Sequence, residues 1–574
     1  MARFIVKGMG GMVPRLDAGM LPDNMSERAQ DCDFHSGNLD GLPTLELVVA
    51  LPGARKAFRF PNADNTQVIW LPLPSEFSCV VRSPLTNDTT RRVYWTNPGD
   101  TYPHWSTYAN IQAGIPPFDL GIEQPFTGPG GALTAVATGG TAPDVIPYVA
   151  RSYVYTFVNS YGEESAPNAP SVTVEGASDG VWTITGLPQV PPVNTARNYP
   201  PVVKVRLYRT VVGLQTGASF YMVSEWLYSS GSIPDPYIDI TWDVGIIDNA
   251  PLISTSWANP PDGLDGLVAL TGGMMVGFIG NTIHFCEPYR PHAWPAVYDQ
   301  SVLYDIVALT VWNQSLAVLT SGYLSVGTGN SPTNYLINQT QVAEPCISRG
   351  SVVTDLTGVI YSSQNGLVKT NYFQSEIITL DTMTKDKWHT EYYGASIISA
   401  RHRAEYIAIH SDGAFIFDGT EKRMGFVLLS SLDGATSIWN DEFEGNTYTM
   451  IDGKVYLWDS PTTIKQTYRW LSKQFYAPAP ISLGAAHVTV SKRVDDSFVP
   501  NDNSELLPDE VRARFRIYAG PEPTLIMERD IVKPTDIFRL PSGFRAFDWQ
   551  IELIGRVRID SVELASTMKE LQGV

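Results

Sequence analysis

The stretch Val13–Leu42, VPRLDAGMLPDNMSERAQDCDFHSGNLDGL, holds five aspartates, a cysteine and a histidine within thirty residues. These residue types bind cations and move protons. Asp31 and Asp33 stand like the opening ligands of a calcium loop. That loop needs Gly at its sixth position and a bidentate Glu at its twelfth, and here those positions hold Ser36 and Leu42. The stretch reads better as fold construction. Asp23, Asn24 or Ser26 is placed to cap a short helix over 24–31, and Ser36-Gly37-Asn38 and Asp40-Gly41 follow as turn chemistry.

A second cluster lies in IHFCEPYRPHAW, with His284, Cys286, Glu287 and His292. His284 and Cys286 have the i, i+2 spacing that points two zinc ligands from one strand, but His292 falls in a Pro-rich loop. His389, His402 and His410 are scattered and read as exposed or hydrogen-bonded strand residues. Arg512, Arg514 and Arg516 point one way from a strand, opposite Val511, Ala513, Phe515 and Ile517. Such a row could grip phosphate. Glu522, Glu528 and Asp530 lie close by, which favours paired surface charges or a subunit contact.

The chain contains no G-x-x-x-x-G-K-[ST] phosphate loop, no G-x-S-x-G elbow and no H-E-x-x-H pair. Its 59 acidic residues supply many carboxylate pairs, but nothing in their spacing sets two of them at the separation glycoside cleavage needs. The expectation is a protein that is not an enzyme, with no catalytic residues, no cofactor and no metal site.

The elements that would carry these residues are strands. The chain has 574 residues, which argues for two to four domains, and its 47 Gly and 42 Pro with 11% aromatics favour short strands joined by turns. The net charge of −19 disfavours nucleic-acid binding, which requires Lys and Arg to neutralise phosphates. The excess acid precedes residue 511, because the last segment balances 10 basic against 9 acidic side chains. Cys32, Cys79, Cys286 and Cys346 are far apart and read as free thiols. No apolar run is long enough to span a bilayer, and the first residues lack a signal-peptide core, so synthesis in a cytoplasm is expected.

The expected fold class is all-β. Residues 1–125 form an N-terminal arm and strands that contribute to a propeller or platform, and 126–146 is a Gly/Thr-rich linker. Residues 147–258 alternate strongly and read as a fibronectin type III or immunoglobulin-like β-sandwich. Its core is expected to include Tyr153, Tyr155, Phe157, Trp182, Ile184, Val205, Leu207 and Tyr221. From 264 to 474 an internal repeat appears, with units starting near Leu267, Ile306, Ser351, Ile397 and Ser437. The steps of 39, 45, 46 and 40 residues suit the blades of a β-propeller, with strands from 45–125 available to close the ring. Residues 475–574 form a C-terminal β-rich platform or closing region, with a loop at SELLPDE, Ser504–Glu510. Helices are expected only near 24–31, around 384–391 and at the C-terminus.

Four stretches in order carry a family resemblance: RLDAGMLPDNMSERAQDCDFHSGNLDGL, CEPYRPHAWP (Cys286–Pro295), YRWLSKQF (Tyr468–Phe475) and FRLPSGFRAFDWQIELIGRVRIDSVELASTMKEL (Phe538–Leu571). Together they resemble the nozzle, or tail tubular, proteins of short-tailed double-stranded DNA bacteriophages. The resemblance implies a homohexameric ring in the virion tail. That ring would sit below the portal and adaptor proteins, serve as a hub for tail fibres or spikes, and conduct the genome during ejection. It carries over no catalytic residues and leaves the channel-lining residues unknown. Six chains at −19 would bring roughly −114 charges to such a ring, a field that repels phosphates and lets DNA slide. The alternative is a receptor-binding or glycan-degrading tail protein. Such proteins are built on long β-solenoids, and the sequence shows neither hexapeptide-like repeats nor heptads.

Overall fold

The computed structural model describes residues 3–85, 88–128, 131–145, 148–212, 218–393, 396–418, 425–441, 443–460, 465–490 and 511–571. The loop expected at Ser504–Glu510 lies outside them.

Alternating apolar residues bury one side of each short strand, and Gly and Asn turns reverse the chain, so the repeat units become small antiparallel sheets. Five units follow the 39–46-residue steps. Their first strands are Asp265–Leu270, Ile306–Trp312, Val353–Thr354, Ile398–His402 and Ala435–Asn440. The first three begin four-stranded sheets, blades 3 to 5, and the fourth begins blade 6, whose four strands from Ile398–His402 to Gly425–Leu428 form one end of a ten-stranded sheet. The fifth begins blade 7, which has three strands of its own and takes its fourth, Glu46–Ala50, from the N-terminal region; Val455 pairs with Val49 and Leu457 with Glu46. The chain then forms blade 1, Lys56–Pro61 with Val68–Leu73, and blade 2, which begins at Cys79–Arg82 and ends at Phe118–Asp119. Blade 7 packs on blade 1 through Ala57, Trp70 and Tyr448, which joins the early and late halves of the ring. A ring closed by strands some 400 residues apart in sequence cannot open by fraying one terminus.

Between blades 2 and 3 the chain leaves the propeller to build the inserted β-sandwich. One sheet holds Thr134–Thr138, Val181–Thr185 and Tyr237–Asp239; the other holds Tyr153–Asn159, Val202–Val212 and Ala218–Leu227. Tyr153, Tyr155, Phe157, Trp182, Ile184, Val205 and Leu207 are buried together, as alternation requires. Tyr221 is only half-buried and faces Arg209 across the strand pair. A register shift at Leu207/Tyr208 displaces this strand's inward set, so Val223 and Trp226 pack on the core instead. Composition suggests a linker over 126–146, but Thr134–Thr138 is a strand of the sandwich that pairs residue for residue with Val181–Thr185. Its small β-branched and Ala residues suit a pleated edge as well as they suit a loop.

The third unit joins the two ends of the chain. Arg3–Lys7 pairs with Ile559–Ala565, which pairs with Ala485–Val490. This sheet shares a core with a second one built from Tyr468–Ser472, Ala513–Ala519 and Ala546–Gly555, with Phe515, Trp549, Ile551 and Val562 among the buried residues. The helix expected over 24–31 is absent. Ser26–Gln30 is a strand, antiparallel to Tyr468–Ser472 and touching Gly425–Leu428 in parallel, so it welds blade 6 to the terminal sandwich. Local helix propensity is worth a few tenths of a kcal/mol per residue, and pairing on both edges with Ser26 and Ala29 buried overrides it. The helix expected around 384–391 is present as Lys385–Tyr392. Thr384 accepts from the Lys387 amide at 3.2 Å, and Trp388 and Tyr392 pack with tilted rings at i, i+4 on the buried face. A short helix near the C-terminus, Met568–Leu571, follows the last strand, Ile559–Ala565.

Candidate functional site

The residues with chemical potential go to separate places. Asp31 is buried and accepts from the Ser430 amide at 2.9 Å and from its hydroxyl, tying the N-terminal arm to blade 6. Asp33 bonds the His35 ring at 2.8 Å, and the other ring nitrogen lies 3.4 Å from Glu405, at the first turn of blade 6. Burial pushes the Glu405 carboxyl up to about 7, and Asp33 and Asp418 add to that effect against the opposing His35 and Arg403. These are joints between the terminal sandwich and the propeller.

The second cluster also comes apart. His284 meets Asp299 at 2.9 Å. Cys286 is buried between blades 2 and 3, where burial pushes its thiol up to about 12. His292 packs edge-on against Trp257 and sits 3.6 Å from Glu163 of the inserted sandwich. Glu163 in turn bonds Arg92 of blade 2 at 2.6 Å. Its burial alone would raise the carboxyl, but His292 and Arg92 overcome it and hold Glu163 down to about 2. This charged cluster clamps the insert to the ring. Elsewhere His389 stacks on Tyr393, His402 bonds Asp459 at 2.8 Å and His410 packs against Tyr392. Arg514 and Arg516 pair with Asp530 and Glu528, and Arg512 donates to the Val532 carbonyl. Among the described residues no group of three or more His, Cys, Asp or Glu is arranged to hold a metal.

Two features did not stand out in the sequence. The first is an axial cavity of about 650 Å³, lined by every blade: Lys56 of blade 1, Cys79 of blade 2, Gly266 of blade 3, Thr310 of blade 4, Thr354 of blade 5, Arg401 of blade 6 and Asn440 of blade 7. Arg349, just ahead of blade 5, reaches in from the start of the inner strands. It holds Asp265 in a two-pronged ion pair and donates to the Cys79 sulfur at 3.2 Å. Burial alone would raise the Asp265 carboxyl, but Arg349 more than reverses it and leaves the group below its ordinary value. Lys56 donates to the Ser78 carbonyl at 2.9 Å. Burial lowers its ammonium below the ordinary value, and the neighbouring Arg349 charge adds to the effect. Innermost strands of a propeller face their own axis, so the cavity follows from blade geometry. That these cations meet there does not follow from any local motif.

The second feature is the outer face of the insert's three-stranded sheet. Val136 pairs with Thr183 and Thr183 with Ile238, and these outward residues are flanked by the Thr134–Thr185 and Thr138–Val181 pairs. All are uncharged and partly or fully exposed. The chain runs on into Ile240, Trp242 and Val244, which are 69%, 52% and 77% exposed. Together these residues leave a run of apolar side chains open to solvent.

No protein-family model and no curated protein matches the chain. Several solved structures show a distant similarity to the chain. The WD40 domain of Neurospora crassa Pan2 is 10% identical over 51% of this chain and 86% of that one, with a TM-score of 0.25. Virginiamycin B lyase from Staphylococcus aureus is 9% identical over 66% and 98%, also at 0.25. PorZ, a surface component of the type-IX secretion system of Porphyromonas gingivalis, is 8% identical over 88% and 79%, at 0.24. The β-propeller of this chain stands on its own strand order and on the seven inner strands that surround one cavity.

Proposed function

We propose that the chain is a structural subunit of a bacteriophage tail, a nozzle protein that assembles as a homohexameric ring below the portal and adaptor and conducts double-stranded DNA. The observation that carries this reading is the uncharged sheet face around Val136, Thr183 and Ile238 on a chain of net charge −19. Copies of so acidic a chain repel one another, and a flat face without charges is where they can touch at least electrostatic cost. The ordered stretches that resemble the nozzle family agree with it, as does an acidic balance suited to a lumen that repels phosphate. Tail fibres or spikes would attach to the outward side of the ring in the virion tail.

Light scattering and negative-stain imaging of the purified full chain test the reading. Six-membered rings are expected, with weaker assembly when Val136 and Ile238 are both replaced by lysine. A persistent monomer at high concentration would overturn it. A trimer that turns over polysaccharide would replace it with the receptor-binding or glycan-degrading alternative.

A further inference from the structure

The axial cavity of the propeller concentrates positive charge in an acidic protein. Four cationic side chains line it: Lys56, Arg349, Arg401 and Arg403. Two of them are matched, Arg349 by Asp265 and Arg403 by Asp459 at 2.7 Å. The one acidic residue on the lining, Glu76, is engaged by Arg55 at 2.6 Å. Lys56 and Arg401 have no carboxylate partner among the described residues. Lys56 has a single backbone carbonyl as acceptor. Arg401 is held through its main chain, with its amide donating to Asn440 at 2.9 Å, and the residue is half-buried on the lining. A partly desolvated cation without an anion is costly, and the cost falls when an anion enters.

We propose that this cavity binds a phosphorylated small molecule of nucleotide size, with Lys56 and Arg401 as the cations that attract its anionic end and its body lodged on the apolar part of the lining. Guanidinium and ammonium groups together are the usual donors to phosphate oxygens. A bare phosphate would leave most of about 650 Å³ unfilled, whereas a nucleotide suits a cavity of this size. Trp439, Phe77 and Val353 supply apolar surface for the body of the ligand. Neither the cavity nor its charge depends on the ring assembly proposed above, and the test below reads neither oligomeric state nor DNA passage.

Cys79 gives a built-in reporter. It lines the cavity and is half-buried, while Cys32, Cys286 and Cys346 are buried. On the full chain, the rate of thiol modification is measured with an anionic aromatic disulfide, 5,5′-dithiobis(2-nitrobenzoate), and a neutral one, 4,4′-dithiodipyridine. Cys79→Ser identifies the signal. The anionic reagent is expected to be favoured over the neutral one, and Arg401→Gln to remove that preference. Adenosine monophosphate is expected to protect Cys79 from both reagents. Inorganic phosphate at the same concentration is expected to protect less. Lys56→Gln and Arg401→Gln should each weaken protection by roughly tenfold or more in apparent Kd, the loss expected for one charge-assisted contact. Calorimetric titration of adenosine monophosphate gives an independent Kd, and the melting temperature of each variant shows that it is folded. Absence of protection, or equal protection in folded Arg401→Gln, would overturn the site. Equal protection by inorganic phosphate would overturn the assignment of a nucleotide-sized ligand.

Discussion

Removing the Asp239 carboxylate should unfold the inserted sandwich well before the rest of the chain. Asp239 and Arg209 are both fully buried and lie 2.7 Å apart. Asp239 also accepts from the Tyr153 hydroxyl at 3.0 Å and from the Thr241 amide at 2.9 Å. The network extends through Asp243, which bonds Arg209 at 2.8 Å and Arg151 at 2.7 Å. Arg151 lies over the Trp182 ring at 4.7 Å. The network therefore spans both sheets. Asp239→Ala strands a buried guanidinium and a buried hydroxyl, and breaking a buried pair in this way costs about 3–5 kcal/mol. Arg209 keeps Asp243 and the Thr241 carbonyl, so the lower end, about 3 kcal/mol, is expected. For a domain of this size that is a fall in melting temperature of roughly 9–18 °C. Urea unfolding followed by tryptophan fluorescence, with Trp182 as the buried reporter, measures it. The double replacement Arg209→Met with Asp239→Leu should recover much of the loss, because two apolar side chains need no pairing. A loss below about 1 kcal/mol for Asp239→Ala, or a double variant no better than the single, would refute the claim that charge pairing holds these sheets together.

The joint at His35 and Glu405 makes stability fall as pH rises. The Glu405 carboxyl titrates at about 7 in the folded chain against an ordinary 4.5, so the native state binds more protons than the unfolded state across that window. His35, raised chiefly by its bond to Asp33, acts in the same direction from its ordinary 6.5 upward. Glu405→Gln should flatten the loss of about 2–3 kcal/mol between pH 5 and 8 in urea titrations; an unchanged pH profile would exclude Glu405 as its source. A fragment starting at 131 and ending at 258 should fold, while one starting at 147 lacks Thr134–Thr138 with buried Leu133 and Ala135 and should be markedly less stable. Equal chemical-shift dispersion and equal unfolding midpoints for the two would show that strand to be dispensable.

The blades and the sandwich core were legible because they rest on local periodicity. Strand alternation places Tyr153, Tyr155 and Phe157 inside whatever their partners are, and a step of 39–46 residues is the length of one blade regardless of its neighbours. Segments whose residues suit two states were decided elsewhere. Ser26–Gln30 is a strand because it has partners on both sides, and Thr134–Thr138 is a strand because Val181–Thr185 lies beside it. The candidate site was beyond sequence reasoning for the same reason. Lys56, Cys79, Arg349 and Arg401 lie in four different blades or their approaches, each in an unremarkable local setting. Only closure of the ring brings all four to the lining of one cavity. Likewise Asp31 and Asp33 resemble the start of a calcium loop when read along the chain, yet one is consumed by Ser430 and the other by His35. Local sequence sets which faces are apolar and where the chain turns. Which charges meet is set by contacts between residues hundreds of positions apart, and no short-range pattern encodes those.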